Sequence, residues 1–297
     1  MPADLVLGID IGGTKVAVGV VDRANCHALS TRVAPTPASQ GAFLVYQVIL
    51  DLCKQLPEID YIQAIGVCFG GPVVGNQVMH SNHVTGWQDF SLETRLRQDI
   101  APVPVRIVND ANAIARLEWT QQPASSLTSL FYLTVSTGIG GGLILNGQII
   151  EGRHGLASEI GHLILEPDGP VCTCGNRGCL EALAAGPAIS HFYAATTGQN
   201  LSAREIDARC SAGDAMAISV LQNAGGYVGR ALAALNVLLD VDRVVIGGGV
   251  SRSGPVWWDA VETQLHADTL PWSEPPVVSR STFGEFEGVL AGAVATQ

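Results

Sequence analysis

Apolar, β-rich runs that each end in a glycine loop constrain the fold of this chain more than any other feature. They read LVLGIDIGGTK from Leu5, LFYLTVSTGIGGG from Leu130 and RVVIGGGV from Arg243. Stretches with apolar residues at three- and four-residue spacing lie between them and predict helices over Ala42–Gln55, Ala111–Thr120 and Ala215–Leu239. Strands that alternate with helices predict an α/β architecture with largely buried sheets.

The length of the chain, 297 residues, allows two domains, because single cores rarely grow beyond about 250–300 residues. Strand–glycine-loop units that recur over this length predict duplicated domains that face each other across a cleft. The polar stretch 121–126 contains Pro123 and is the predicted connection after the first domain. A hydrophobic content of 47% predicts a chain with a large core.

The charge balance argues against nucleic-acid binding. The chain has 16 Lys and Arg against 27 Asp and Glu, a net charge of −11, whereas a nucleic-acid binder needs a basic face to displace counterions. We expect no membrane partner and no secretory signal, since the apolar stretches are short or broken by charged residues. Seven cysteines, an odd number, favour reduced thiols and a cytoplasmic location.

The first glycine loop, Asp10-Ile11-Gly12-Gly13-Thr14-Lys15, directly follows the first predicted strand. Its paired glycines allow a tight turn that presents N–H groups to a phosphate, and Asp10 offers a carboxylate to a metal-bridged triphosphate. The alternative is a plain hairpin turn, and both readings can hold because a phosphate loop can lie on a hairpin. The loop matches neither a Walker A motif nor a Rossmann fingerprint.

The second and third glycine loops extend this pattern. The loop 136–142 repeats the phosphate-binding features and adds the hydroxyls of Ser136 and Thr137. The triplet Gly247-Gly248-Gly249 ends a strand, where a flat adenine or ribose could lie against backbone that carries no side chains. Glycine loops at three strand ends predict a nucleotide site more strongly than any one of them.

The segment VRIVNDANA from Val105 reads as a strand that runs into a helix, with Asn109 and Asp110 at the junction. Phosphoryl transfer needs positioning, a metal and a base that takes the hydroxyl proton, and a carboxylate at such a junction can be that base. The alternative is that Asn109 or Asp110 only caps the helix, which is a very common role for these residues. The residues alone favour the cap.

A His–Cys cluster follows, with His162, Cys172, Cys174 and Cys179 within eighteen residues. Four such ligands with nearby glycines suit tetrahedral zinc, although a loop of free thiols is the alternative. A closed site of this kind predicts a structural ion. Glu159 and Glu181 flank the cluster, and their carboxylates are candidate acceptors for sugar hydroxyls rather than solvated surface acids.

Together these motifs closely resemble those of the ROK family (repressor, open reading frame, kinase). The resemblance extends from Asp10 to about Gly249, and DIGGTK, ExGH and CxCGxxGCxE are its most specific elements. It implies a two-domain, actin-like (ribonuclease H-like) α/β ATPase fold with an interdomain cleft. The final helix would complete the first domain, so that residues 1–120 plus 285–297 form the N-terminal domain and residues 121–284 form the C-terminal domain with the zinc-binding loop.

The resemblance also implies roles for individual residues. Asp110 matches the catalytic base and Asp10 the acid near magnesium. The other matches, by role, are nucleotide contacts at Gly12, Gly13, Thr14, Thr137, Gly138, Gly247 and Gly248, sugar contacts at Asn82, Asn109, Glu159, His162 and Glu181, and zinc ligands at His162, Cys172, Cys174 and Cys179.

The function implied is an ATP- and Mg²⁺-dependent sugar kinase with a structural Zn²⁺, acting on the 6-hydroxyl of a hexose. Glucose is the first expectation, and N-acetylmannosamine and N-acetylglucosamine are the alternatives. Ser136 and Ser158 stand where glycine is common in the family and leave the choice of sugar open. A non-catalytic sugar sensor is a remote alternative, and a homodimer or homotetramer is the assembly usual in such families.

Overall fold

The computed structural model describes residues 4–81, 84–122, 127–284 and 286–296. The chain divides into two compact units. The first unit comprises Met1–Pro123, Ile149–Ala157 and Thr282–Gln297, and the second comprises Ala124–Gln148 and Ser158–Ser281. The segment Ile149–Ala157 therefore belongs to the first unit, although the sequence assigned it to the second domain.

Strands and helices alternate along the described residues. In chain order the strands are β1 (Leu5–Ile11), β2 (Lys15–Asp22), β3 (His27–Pro35), β4 (Ala64–Phe69), β5 (Val73–Val74), β6 (Gln77–Val78), β7 (Val105–Asn109), β8 (Ser129–Val135), β9 (Ile139–Leu145), β10 (Gln148–Ile149), β11 (Arg243–Gly247) and β12 (Val277–Arg280). The α-helices are α1 (Ala42–Cys53), α2 (Leu92–Asp99), α3 (Asp110–Thr120), α4 (Leu180–Ala184), α5 (Gly186–Thr197), α6 (Ala203–Ser211), α7 (Ala215–Leu239), α8 (Pro255–Asp268) and α9 (Glu287–Val294). The helices predicted from periodicity are α1, α3 and α7, and these predictions are confirmed.

Each unit is built on a five-stranded mixed sheet, and the two sheets have the same order. The strands run β3-β2-β1-β4-β7 in the first and β10-β9-β8-β11-β12 in the second. Each sheet has an antiparallel hairpin, β1–β2 or β8–β9, beside strands that pair in parallel. The first glycine loop joins β1 to β2, and the second joins β8 to β9. The α/β class and the duplication predicted from the glycine-loop pattern are confirmed.

Helix α9 packs directly on the sheet of the first unit, because glycines on both sides allow the backbones to approach. A Cβ atom on Gly8 of β1 would overlap the carbonyl oxygen of Val289, and one on Gly66 of β4 would overlap that of Gly292. The buried side chains of Val289 and Ala293 complete a small core with Val6 of β1. The first turn of α9 is thereby placed beside the end of β1, where the first glycine turn begins.

Helix α7 is the central helix of the second unit. It starts at its N-cap Asp214, whose carboxylate accepts hydrogen bonds from the N–H groups of Met216 (2.9 Å) and Ala217 (3.1 Å). It ends at Asp240, which adopts a left-handed conformation with φ of 48°. The described part of the chain contains no helix that is both long and apolar enough to cross a membrane.

Candidate active site

The first glycine turn, residues 10–14, connects β1 to β2. The N–H of Gly12 donates to the carbonyl oxygen of Lys15 (3.0 Å), which closes the hairpin. The hydroxyl of Thr36 donates to the carbonyl oxygen of Gly12 (2.7 Å) and holds the turn from a third strand end. Thr14 is exposed and both glycines are partly exposed. The turn is therefore a rigid hairpin whose tip is open to a ligand.

Asp10 lies at the start of this turn against the first turn of α9. A Cβ atom on Gly288 would lie 2.5 Å from Cγ of Asp10 and within 2.8 Å of both carboxylate oxygens, so glycine is required there for space. Burial raises the pKa of Asp10 from 3.8 to about 6, and the charge of Lys15 opposes this shift. A carboxylate held without full hydration gains most from a cation, which suits the predicted position near magnesium.

Asn109 and Asp110 make different contacts at the start of α3. Asn109 is the N-cap of α3, and its Oδ1 accepts a hydrogen bond from the N–H of Asn112 (3.1 Å). Its Nδ2 also donates to the carbonyl oxygen of Gly71 (3.2 Å). Asp110 is the first residue of the helix, and its Oδ1 accepts from the N–H of Ala111 (2.8 Å). The cap is thus made by Asn109, which leaves the Asp110 carboxylate on the first helical turn.

Gly70 lies between the Asp110 carboxylate and the first glycine turn. The Cβ position of Gly70 lies 3.7 Å from Oδ2 of Asp110, 3.4 Å from the carbonyl oxygen of Ile11 and 4.0 Å from Cα of Gly12. A side chain at Gly70 would occupy the space between the predicted base and the predicted phosphate loop. The structure therefore brings these two sequence-predicted elements to the same place in the first unit.

Cys68 is a buried thiol in the same region. Burial raises the pKa of this thiol well above its usual value, and the negative charges of Asp10, Asp110 and Glu287 raise it further. These carboxylates come from β1, α3 and α9, so three separate elements contribute acids to one corner of the first unit. Negative charge concentrated in this way requires cations when a polyphosphate binds.

The second glycine turn, residues 136–138, connects β8 to β9. The N–H of Ser136 donates to the carbonyl oxygen of Gly138 (2.8 Å), which closes the turn and leaves Thr137 exposed. The turn lines a cavity of about 700 Å³ within the second unit, a size suited to a small-molecule ligand. The lining residues are Ser136, Thr137, Gly186, Pro187, Ser190, Ser202, Ala203, Arg204, Asp207, Gly249, Val250, Arg252 and Ser253.

The third glycine loop contributes to this cavity through a different residue from those predicted. Gly249 lines it, whereas Gly247 and Gly248 do not. Gly247 is tightly packed, because a Cβ atom there would overlap the hydroxyl of Tyr132. Gly248 has a φ of +86°, and its Cβ position lies 2.5 Å from the carbonyl oxygen of Val135, so this glycine serves the turn itself. The two glycines position the cavity wall without forming it.

The predicted zinc ligands, His162, Cys172, Cys174 and Cys179, come together in the second unit. Their ligand atoms all lie within 4.8 Å of one another. Nδ1 of His162 is 3.7 Å from Sγ of Cys172, and Sγ of Cys174 is 3.7 Å from Sγ of Cys179. Tetrahedral zinc with bonds of about 2.0–2.3 Å places neighbouring ligand atoms about 3.5–3.8 Å apart. The donor set and its spacing fit a structural zinc ion.

The candidate sugar contacts fall in both units. In the second, Nε2 of His162 is 3.9 Å from Oε2 of Glu159, so one ring nitrogen faces the cysteines and the other faces a carboxylate. Glu181 accepts hydrogen bonds from the N–H of Ile139 (3.0 Å) and the hydroxyl of Thr173 (3.1 Å). Asn109 lies beside Asp110 in the first unit, and Asn82 lies outside the described residues.

Sequence reasoning missed two parts of these sites. Gly288 was not singled out, although the small residues of EGVLAGA indicate a helix that packs closely. The cavity residues Arg204 and Asp207 lie on α6, whose N-terminus is a capping box in which Ser202 and Glu205 bond each other's backbone N–H groups. That S-x-x-E pattern was visible in the sequence. Only the fold could show that the helix lines a cavity.

Comparison with known proteins identifies the family. The profile of the ROK family matches residues 6–296. The chain belongs to the ROK family. This agrees with the resemblance carried by the DIGGTK, ExGH and CxCGxxGCxE motifs, and the match extends beyond them on both sides.

Individual ROK proteins are similar over nearly the whole chain. An N-acetylmannosamine kinase from Vibrio vulnificus (strain CMCP6) is 35% identical over 292 residues, which are 97% of this chain and 96% of the relative. A glucokinase from Halalkalibacterium halodurans is 30% identical over 311 residues, covering 96% and 93% of the two chains. A solved ROK glucokinase from Streptomyces griseus, in complex with glucose and AMPPNP, matches with a TM-score of 0.86 and 28% identity over 97% of this chain and 98% of that chain. The predicted actin-like ATPase fold is confirmed.

Proposed function

We propose that this ROK-family sugar kinase transfers the γ-phosphate of ATP to the 6-hydroxyl of a hexose or N-acylhexosamine, with Asp110 as general base. The position of Asp110 carries this proposal. Asn109 caps α3, and the Asp110 carboxylate lies on the first helical turn next to the space at Gly70 that borders the Gly12 turn. A base beside a phosphate loop is the arrangement that phosphoryl transfer to a hydroxyl requires.

The remaining residues are proposed to bind and orient the reactants. Asp110 takes the proton of the sugar hydroxyl as that oxygen attacks the γ-phosphorus, while Asn109 contacts the sugar. N–H groups of the turns 10–14 and 136–138 donate to phosphate oxygens and stabilise their charge. Asp10 would hold magnesium, which supplies positive charge to the polyphosphate when bound. The cavity lined by Thr137 and Gly249 is the proposed place of the nucleoside.

The zinc cluster supports the sugar-contacting side of this proposal. The four ligands His162, Cys172, Cys174 and Cys179 would hold the ion in a closed site, so its contribution is to fix the loop. Nδ1 of His162 belongs to that site, and Nε2, on the other side of the ring, lies 3.9 Å from Oε2 of Glu159. A sugar with adjacent hydroxyls can accept from the imidazole and donate to the carboxylate.

The similar proteins support N-acetylmannosamine ahead of glucose as the substrate. The Vibrio vulnificus N-acetylmannosamine kinase is 35% identical, whereas the Halalkalibacterium halodurans glucokinase is 30% identical over a similar share of the chain. Both sugars carry a 6-hydroxyl, so the same base and phosphate turns would serve either of them. Glucose, the first expectation from the motifs, becomes the second candidate.

The test is an ADP-release assay with ATP and Mg²⁺ over a panel of N-acetylmannosamine, N-acetylglucosamine, glucose and mannose. We expect one sugar to be turned over well, and we expect Asp110→Asn to lower kcat by about 10²-fold or more because the base is lost. Asp51→Asn, which removes an exposed acid of the same unit, is the matched control and should retain full activity. A folded Asp110→Asn protein with near-normal turnover would remove Asp110 from the mechanism. Sugar binding without turnover of any sugar would favour a sensor instead.

A further inference from the structure

The second glycine turn, residues 136–138, is held at both ends by one short segment of the second unit. At its start, the carbonyl oxygen of Ser136 accepts a hydrogen bond from the N–H of Gly186 (2.8 Å), the first residue of α5. At its end, the N–H of Ile139 donates to Oε2 of Glu181 (3.0 Å), which lies in α4. Helices α4 and α5 follow each other along the chain, so a single segment fixes the geometry of the turn.

The carboxylate of Glu181 also packs closely against Gly138. A Cβ atom on Gly138 would lie 2.6 Å from Oε2 of Glu181 and 3.5 Å from its Cδ. The φ of Gly138 lies outside the left-handed region, so the backbone conformation does not require glycine. A side chain at residue 138 would instead displace the Glu181 carboxylate from its present position. The absence of a side chain at Gly138 therefore leaves the Glu181 carboxylate room to pack against the turn.

The other oxygen of Glu181 reaches the zinc loop, residues 172–179. Its Oε1 accepts a hydrogen bond from the hydroxyl of Thr173 (3.1 Å), and Sγ of Cys172 lies 3.9 Å from the same oxygen. Thr173 stands between the ligands Cys172 and Cys174, and Cys179 is the N-cap residue of α4. The loop that would hold the ion thus determines where the Glu181 carboxylate lies, through the chain and through a hydrogen bond.

We propose that the zinc loop positions the nucleotide-binding turn through Glu181, and that Thr173 is a positioning residue for this purpose. The chain of contacts runs from the Thr173 hydroxyl to one oxygen of Glu181, and from its other oxygen to the N–H of Ile139. The inference rests on the proposed kinase function, because it takes the turn as part of the ATP site. It assigns the zinc loop a role in nucleotide affinity in addition to the sugar contacts predicted for His162, Glu159 and Glu181.

The experiment measures equilibrium binding of MgADP by calorimetry to the full chain and its variants, with zinc content determined for each protein. Thr173→Val removes the hydroxyl and keeps the shape of the side chain, and we expect about fivefold weaker binding because a hydrogen bond to a charged group is lost. Thr173→Ser keeps the hydroxyl and should bind like the wild type. Thr196→Val is the matched control, since the exposed hydroxyl of Thr196 donates to the carbonyl oxygen of Phe192 (3.2 Å) on α5, away from the zinc loop.

Each outcome decides the inference. Weaker binding by Thr173→Val alone, with zinc retained, supports it. Equal binding by Thr173→Val and the wild type overturns it and leaves the kinase proposal intact, whereas a wild-type protein that binds no MgADP overturns both. Loss of zinc from Thr173→Val also overturns it, because the hydroxyl would then serve the ion rather than Glu181. So does weak binding by Thr173→Ser.

Discussion

The two glycine turns occupy equivalent places in sheets of the same order, yet their surroundings differ in chemistry. The turn 10–14 follows β1 and lies in a corner where Asp10, Asp110 and Glu287 concentrate negative charge. The turn 136–138 follows β8, the corresponding strand, and borders a cavity whose charged lining residues are Arg204, Asp207 and Arg252. One backbone plan therefore places its turn beside a group of acids in the first unit and beside charges of both signs in the second.

The difference arises from the helices and loops that surround each of the two sheets. In the first unit, α3 and α9 bring the acids to the turn. In the second, α4 to α7 are inserted between β10 and β11, where the first unit has α1 as its α-helix between β3 and β4. The same insertion contains the zinc loop before α4, Glu181 in α4 and the part of the cavity wall that α5 and α6 form. The strand topology positions a turn, and the surrounding helices decide what the turn can bind.

The largest expected effect is zinc removal, which separates the two regions most sharply. Chelation at neutral pH should unfold the second unit or lower its unfolding temperature strongly, because structural zinc contributes about 10–16 kcal/mol in zinc-dependent peptides. The first unit lacks the cluster residues His162, Cys172, Cys174 and Cys179 and should keep its structure. Tryptophan emission distinguishes the units when it is measured on one variant that keeps only Trp87 and Trp119 of the first unit and on another that keeps only Trp257, Trp258 and Trp272 of the second. Equal loss of signal from both, or no loss at all, would contradict this prediction.

The next effect concerns the acidic region. Gly288→Ala places a methyl group on the Asp10 carboxylate, so we expect kcat to fall about 10- to 100-fold and the Mg²⁺ requirement to rise, because small displacements of reacting groups are costly. Gly226→Ala in α7 is the matched control, since a Cβ atom there meets no atom within 4 Å. Titration of activity with Mg²⁺ and circular dichroism of both variants check the prediction. An unchanged kcat in a folded Gly288→Ala protein would contradict the prediction, because the reaction would then not depend on the exact position of the Asp10 carboxylate.

The raised pKa of Asp10 predicts that the acidic region of the first unit makes the stability of the protein depend on pH. Its raised value of about 6, against 3.8 in a model compound, means that the folded chain binds this proton more tightly than the unfolded chain does. The contribution of Asp10 to the free energy of unfolding should therefore fall as the pH rises from about 4 to 6, by up to about 3 kcal/mol for a shift of this size. Asp10→Asn should match the wild type at pH 4 and exceed it at pH 7 in magnesium-free buffer. Urea unfolding at both pH values measures the free energy of unfolding of the two proteins. The same difference between them at pH 4 and at pH 7 would refute the prediction.

The smallest effect concerns strain in the second region. Ser158 precedes Glu159 with a φ of +71°, and its buried hydroxyl makes no hydrogen bond within the described residues. Ser158→Gly should stabilise the protein by about 1 kcal/mol by relieving this conformation. Ser158→Ala removes the hydroxyl and keeps the conformation, so its melting temperature should lie between those of the wild type and Ser158→Gly. The order of the three melting temperatures is the measurement, and a destabilised Ser158→Gly would disprove the strain.

Much of the fold followed from local signals in the sequence. Periodicity predicted α1, α3 and α7, and the paired glycines of the first loop indicated the β1–β2 hairpin. The zinc ligands could be named because their spacing is set within eighteen residues of one chain segment. The nucleotide contacts of Gly247 and Gly248 stay a prediction, and the structure adds Gly249 as the glycine of the third loop that lines the cavity. The segment Ile149–Ala157 groups with the first unit rather than with the predicted C-terminal domain, because it contacts residues distant in sequence, as Gly155 does with Val73.

The sequence by itself determined the elements, their alternation and the residue types at the turns, because periodicity, turn preferences and ligand spacing act over a few residues. Only the tertiary structure decided which of two neighbouring side chains caps α3, since Asn109 is also tied to Gly71, a residue distant in sequence. It alone showed Gly288 against Asp10 and Glu181 against Gly138. These contacts join residues far apart in the chain, and their geometry depends on how helices pack on each sheet rather than on local preference.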